Sequence, residues 1–199
     1  MSRARIFLTG VGGQGTLTAT TLLSRIGLDN GLQVTSGEIH GMAQRGGVVE
    51  STVLFGGFQS PKISFGEADL LLGFEPLETL RALPYLKPGG VIVSNSDPIL
   101  PISVATGRES YPDLNEIRAK AEASCASRVL FVPCIDLAVR EVGVAQAANM
   151  VLLGAACAAG AMPFTTDALL TGIEKYLKPA LVEKNKIAVA LGAKAIEKG

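Results

Sequence analysis

Apolar positions along this chain follow two rhythms, short unbroken runs and longer stretches at helical spacing. The run over 6–9 reads as a buried strand. Leu17, Leu22, Leu23 and Ile26 then recur at helical spacing until Asn30-Gly31, a helix-ending pair. Residues 34–39 and the β-branched stretch 48–55 predict two further strands, and the run 69–74 a short central one. Pro76 opens a helix predicted over 76–86, Lys87-Pro88-Gly89-Gly90 reads as a turn, and 91–94 as the next strand. Residues 97–112, broken by Pro98, Pro101 and Pro112, predict a surface excursion with a short strand at 102–104. A helix over 113–124 and a strand over 128–132 follow. Helices are then predicted over 136–142, 146–160, 166–176 and 179–196. Strand and helix alternate through two-thirds of the chain, and the last third is all helix. The expected fold is α/β: a three-layer, Rossmann-like, doubly wound and mostly parallel sheet with a helical C-terminal segment. No linker divides it, so a single domain over 1–199 is expected.

Composition narrows the function classes. Eighteen basic residues balance eighteen acidic ones, so no net field draws the chain to nucleic acid or to an anionic membrane. Charged residues are 18% of the chain, below the usual quarter or so, and the mean hydropathy is positive. A sheet covered on both faces explains part of that excess, and an apolar interface with an obligate partner explains the rest. Cys125, Cys134 and Cys157 share no close spacing, so this chain alone cannot hold a zinc ion or an iron–sulfur cluster. No metal site is expected. Glycines interrupt the first apolar run too early for a signal peptide, and 151–162 is about half a membrane span. The expectation is a soluble, cytoplasmic protein.

Two glycine-punctuated segments carry the chemistry. Gly10-Val11-Gly12-Gly13-Gln14-Gly15 follows a strand and opens a helix, the setting in which backbone N–H groups approach a phosphate. Gly13, Gln14 and Thr16 add donors and acceptors, and Glu38, near the end of the second strand, stands where a ribose-binding carboxylate belongs. Yet Glu38 runs straight into His40-Gly41 and not into a helix. The turn can therefore hold a dinucleotide, hold another phosphate or carboxylate, or pack against a neighbouring subunit. The second segment, His40 to Gly47, contains the only histidine, together with Arg45, whose guanidinium suits a carboxylate or phosphate. Both are candidates to line a composite active site, and both can equally serve structure or an intersubunit ion pair. Because ligands of open α/β sheets bind at the carboxyl ends of strands, both segments are expected at one crevice. Glu75 and Glu78 at a helix start read as caps, Asn149 and Asn185 as packing amides or crevice residues, and Lys184 as part of a solvated face. No firm catalytic residue emerges.

Taken together, GVGGQGT and SGEIHGMAQRGGVVESTVLFG resemble the gamma-type subunit of 2-oxoacid:ferredoxin oxidoreductases, with HGMAQ tilting toward the indolepyruvate branch. The likeness continues through Gly73-Phe74-Glu75-Pro76, Tyr85-Leu86-Lys87-Pro88-Gly89-Gly90, Asn149 and Lys178-Pro179, so it spans essentially the whole chain. It implies a pyruvate/ketoisovalerate oxidoreductase gamma-type domain in an enzyme that converts a 2-oxo acid, coenzyme A and oxidised ferredoxin to acyl-CoA, carbon dioxide and reduced ferredoxin. It further implies a large partner subunit bearing thiamine diphosphate, Mg2+ and [4Fe-4S] clusters, ferredoxin meeting the complex, and little activity from this chain alone. A homodimer is compatible with the isolated chain. On that reading Gly10, Gly12, Gly13, Gln14, Gly15 and Thr16 receive a phosphate or carboxylate of substrate or coenzyme A. The rivals are a free-standing NAD(P)-dependent Rossmann dehydrogenase and a purely architectural subunit. The second half of the chain lacks a histidine and a Tyr-x-x-x-Lys dyad, which counts against the dehydrogenase.

Overall fold

The computed structural model describes residues 3–40, 47–100, 104, 106–108 and 110–197, with the backbone only at 39 and 40. Six strands form one sheet: β1 (Ala4–Val11), β2 (Val34–His40), β3 (Val48–Phe55), β4 (Ala68–Gly73), β5 (Leu86–Asn95) and β6 (Arg128–Val132). Helix α1 (Thr16–Asp29) follows β1, α2 (Pro76–Ala82) follows β4, and α3 (Leu114–Glu122) follows β5. After β6 come a short α4 (Cys134–Leu137), α5 (Ala148–Ala158), α6 (Thr166–Tyr176) and α7 (Pro179–Glu197).

Alternation along the strands sends side chains to two cores. Ile6, Leu8, Leu70, Leu72 and Val93 pack with α1, α5, α6 and α7 on one face. Phe7, Leu54, Leu71 and Ile92 pack with Ala82 and Ala121, from α2 and α3, on the other. Leu70, Leu71 and Leu72 are all buried, as expected of a central strand covered on both sides. Each contributes roughly 1.5–3 kcal/mol by leaving water.

The strand order is β2-β3-β1-β4-β5-β6. The β1–β4, β4–β5 and β5–β6 pairs are parallel. In contrast, β3 runs antiparallel to both β1 and β2. The sheet is thus mostly parallel, with one reversed strand inserted between β1 and β2. The cause is the connection length: residues 41–47 are too few for a parallel crossover, which needs a dozen or more.

Two local expectations change. Lys87-Pro88-Gly89-Gly90 is not a turn before β5 but an irregular part of it, with Ala68 paired to Leu86 and Leu70 already paired to Val91. The predicted helix over 76–86 stops at Ala82 and tightens into a 3-10 turn, Leu83–Tyr85, around Pro84. The strand expected at 102–104 falls largely outside the described residues.

Candidate functional site

Along the carboxyl ends of β1, β4, β5 and β6 lies a cleft of about 540 Å³. Its walls include Gly12, Gly13, Gln14 and Gly15 on one side, Phe74, Asn95 and Cys134 at the strand ends, and Gln146 and Asn149 opposite. This is where open α/β sheets bind ligands.

The glycine turn is shaped from within. A Cβ on Gly10 would meet Gln14 Oε1 at 2.7 Å and Phe74 Cβ at 2.8 Å, so only glycine lets the turn close there. Gln14 then folds back: its Oε1 accepts the Val11 N–H at 2.6 Å, and its Nε2 donates to the Phe74 carbonyl at 2.8 Å. Both ends of that amide are engaged, so Gln14 braces the turn. Gly15 has φ +83°, and a Cβ there would sit 2.6 Å from Asn149 Nδ2.

Several helix starts converge on the cleft, and they differ in how they are satisfied. The start of α4 is already occupied. Asn95 Oδ1 accepts the Cys134 N–H at 3.0 Å, and Asp97 Oδ2 accepts those of Ile135 and Asp136 at 2.6 and 3.1 Å. The start of α1 is open: Gly15 supplies no side-chain cap, and no acidic residue stands in the first turn. The first N–H groups of a helix have no intrahelical partner, and their combined dipole favours an anion by about 0.3–1 kcal/mol at an exposed end. The 3-10 turn Ala145–Ala147 that leads into α5 likewise lacks a side-chain cap and an acidic residue.

Beside this open end two buried polar atoms have no partner. Thr16 Oγ1, at the first position of α1, is one, and Asn149 Oδ1 is the other. Thr16 is 3% exposed and Asn149 9%. An orphaned buried polar atom costs about 1–3 kcal/mol, and of the two residues Asn149 is the one that lines the cleft. Asn149, left open in sequence between packing and crevice roles, lines the crevice. The orientation of α5 put it there, and no local pattern could have shown it.

Glycine segments one and two meet at the rim. His40 pairs with Val49 of β3, and Val49 pairs with Gly10 of β1, so the three stand in one row across the sheet. Gly47, which closes the second segment, accepts the Gly12 N–H at 2.9 Å. The His40 side chain and Arg45 lie outside the described residues. Glu38 is not beside the glycine turn. On β2, it pairs with Ser51 of the intervening strand β3 and lines a different cavity, of about 580 Å³, with Phe7, Thr52, Phe65 and Tyr85. The ribose-carboxylate geometry needs β2 next to β1, and β3 displaces it by two strand spacings, about 10 Å.

Glu75 caps α2, as the sequence suggests, accepting the Glu78 N–H at 3.0 Å. Its other oxygen accepts the Tyr111 hydroxyl and, at 3.4 Å, the Ile99 N–H, tying the loop after β5 to the cleft wall. Burial, with help from Glu75, holds the Tyr111 hydroxyl well above its ordinary pKa. Burial also raises Glu50 and Glu78, the latter against the opposing pull of Arg81. Cys134, in the cleft floor, is buried and its thiol is pushed far up. Among the described residues no three His, Cys, Asp or Glu side chains converge as a metal site, and no helix is long and apolar enough to cross a membrane.

Comparison with known proteins gives these features a context. The family model described as pyruvate ferredoxin/flavodoxin oxidoreductase matches residues 5–195. An indolepyruvate oxidoreductase subunit IorB from Pyrococcus horikoshii is 39% identical over 98% of this chain and 96% of that protein. The crystal structure of pyruvate oxidoreductase subunit PORC from Thermotoga maritima has the same fold, with TM-score 0.72 and 21% identity, covering 98% of this chain and 97% of that one. A 2-oxoglutarate:ferredoxin oxidoreductase from Magnetococcus marinus, solved with 2-oxoglutarate, coenzyme A and succinyl-CoA bound, matches at TM-score 0.64 and 18% identity. There the whole of this chain corresponds to 30% of a longer polypeptide. With residues 5–195 matched, this chain belongs to the pyruvate ferredoxin/flavodoxin oxidoreductase family.

Proposed function

We propose that this chain is the small subunit of a cytoplasmic 2-oxoacid:ferredoxin oxidoreductase of the indolepyruvate type. Such an enzyme oxidatively decarboxylates a 2-oxo acid with coenzyme A to acyl-CoA, carbon dioxide and reduced ferredoxin. The chain acts as one domain, and its part is to accept an anionic group of substrate or coenzyme A at the turn Gly12–Thr16. Thiamine diphosphate, Mg2+ and [4Fe-4S] clusters belong to a large partner subunit, through which ferredoxin is reduced. His40 and Arg45 face the composite cleft. The observation that carries the binding role is the uncapped start of α1, flanked by the orphaned Thr16 Oγ1 and Asn149 Oδ1. The indolepyruvate assignment rests on 39% identity to the Pyrococcus horikoshii subunit over nearly its full length.

Thr18 offers a test that separates binding from folding. It is exposed in the first turn of α1 and lines the cleft. Thr18→Glu adds a carboxylate where the helix dipole welcomes one, so stability holds or rises by about 0.5 kcal/mol. The same charge repels an incoming anion. In the assembled enzyme the apparent KM for coenzyme A or the 2-oxo acid should rise about tenfold, the lower range for losing a charge-assisted contact. Unchanged affinities for both would end the anion-binding role. Turnover of a 2-oxo acid by the isolated chain would end the division of labour.

A further inference from the structure

The cavity of about 580 Å³ that Glu38 lines belongs to the other face of the sheet. Phe7 and Ile63 of its wall sit in the core packed with α2 and α3, whereas Phe74 and Cys134 of the glycine-turn cleft sit in the core packed with α1. Over β2 and β3 this face carries the segment 56–67, pinned by two threonines. The Thr35 hydroxyl donates to the Phe58 carbonyl at 2.5 Å, and the Thr52 hydroxyl to the Pro61 carbonyl at 2.7 Å. Three rings line the space beneath. Phe7 stacks on Tyr85 with centroids 4.2 Å apart, and Phe65 stands edge-on to Tyr85 at 4.9 Å. Phe7 is 2% exposed and Phe65 71%, so the rings run from the core out to the mouth.

A single exposed aromatic is ordinary. Here it forms the outer wall of a mostly apolar cavity within the usual range for small-molecule sites, about 300–1,000 Å³. The polar groups beside it are chiefly acidic. Phe7 pairs with Thr52, so Glu50, two residues before Thr52 on β3, stands on the same face about 7 Å along. Its charge reaches both Tyr85 in the wall and Glu78 on α2. Glu50 is half-buried, burial raises its pKa, and among the described residues no cation or donor draws it back. Lys62 lines the mouth but is exposed, so its ammonium keeps its water. We propose that this cavity binds a small ring-bearing amine, its ring against Phe65 and Tyr85 and its ammonium at the Glu50 carboxylate. An aromatic face attracts a cation, and a partly desolvated carboxylate gains more from one than a hydrated carboxylate does. The site is separate from the glycine turn and takes a ligand of the opposite charge.

The test uses tryptamine and tryptophol, which share ring and arm but end in an ammonium and a neutral hydroxyl. Binding of each to the assembled enzyme is measured by calorimetry at pH 7, with coenzyme A as a control. Tryptamine should bind about tenfold more tightly than tryptophol, as for one charge-assisted contact. Glu50→Gln keeps the shape and removes the charge. It should lower tryptamine affinity about tenfold, to the level of tryptophol, and leave tryptophol within about twofold. Phe65→Ala, at an exposed position that tolerates truncation, should weaken both probes about threefold to tenfold. Coenzyme A affinity should stay within about twofold in both variants. Equal binding of the two probes overturns the proposal, as does tryptamine affinity unchanged in Glu50→Gln. If Glu50→Gln fails to assemble, tryptamine affinity unchanged in Phe65→Ala overturns it alone, because the amine then binds elsewhere in the enzyme.

Discussion

Tyr111 shows how much one half-buried residue can hold together. Its hydroxyl donates to Glu75, which is fully buried, caps α2 and also receives the Ile99 N–H. Losing a hydrogen bond to a charged acceptor costs about 1.5–3 kcal/mol, so Tyr111→Phe should destabilise the chain by that much at pH 7. The pH dependence follows from the direction of the shift. Burial and Glu75 raise the folded pKa above the unfolded value of about 10. The stabilisation is therefore complete below pH 10 and is lost as pH rises above it, because only the unfolded chain releases the proton. Between pH 9 and 11 the gap between wild type and Tyr111→Phe should narrow by about 1.4 kcal/mol. Tyr85, also raised by burial, and Cys157, pushed up to about 12, give the same alkaline slope to both proteins and cancel in the difference. Urea denaturation at a series of pH values measures this. A constant gap would mean that Tyr111 ionises freely in the native state.

Among the elements, α5 and α7 set the position of the cleft's far wall. They cross at Gly154 and Gly192, where a Cβ on Gly192 would fall inside the contact distance of the Val151 carbonyl oxygen. In an open helix Gly→Ala gains about 1 kcal/mol. Here overpacking against backbone, typically 1–3 kcal/mol or more, outweighs that gain. Gly192→Ala should lower unfolding stability by about 2 kcal/mol in denaturant titration. A net stabilisation would show that the crossing has slack. Much at this scale was legible in sequence. The β-branched run gave β3 its full extent, Val48–Phe55, and Thr166–Tyr176 matched a periodic stretch flanked by turn residues. Lys87-Pro88-Gly89-Gly90 misled because turn chemistry also suits an irregularity at a strand start, where Gly89 takes φ +76°. Asn149 could not be placed, since its partner Gly15 lies 134 positions away and only packing joins them.

For the whole molecule, strand order decides which ligand the glycine turn can serve. Local pattern located the strands but not their neighbours, although one clue was present: seven residues between His40 and Val48 suffice for a hairpin and not for a crossover. That hairpin carries β2 to the sheet edge and Glu38 into the cavity beside Phe7 and Tyr85. Among the described residues that line the cleft at Gly12–Gly15 none is a carboxylate, so the ribose hydroxyls of a nicotinamide dinucleotide bound there would lack that acceptor. A site missing such a partner loses about 1–3 kcal/mol per unpaired group, which puts recognition of the dinucleotide out of reach while leaving a bare anion unaffected. Titration of NADH into the chain, followed by nicotinamide fluorescence, should accordingly give no saturable signal at micromolar concentrations. Glu38→Ala should leave coenzyme A affinity within about twofold, the size expected of a residue outside the contact region. Should NADH bind tightly and Glu38→Ala abolish that binding, the antiparallel insertion of β3 would not separate the two segments functionally. The turn would then be a dinucleotide site after all.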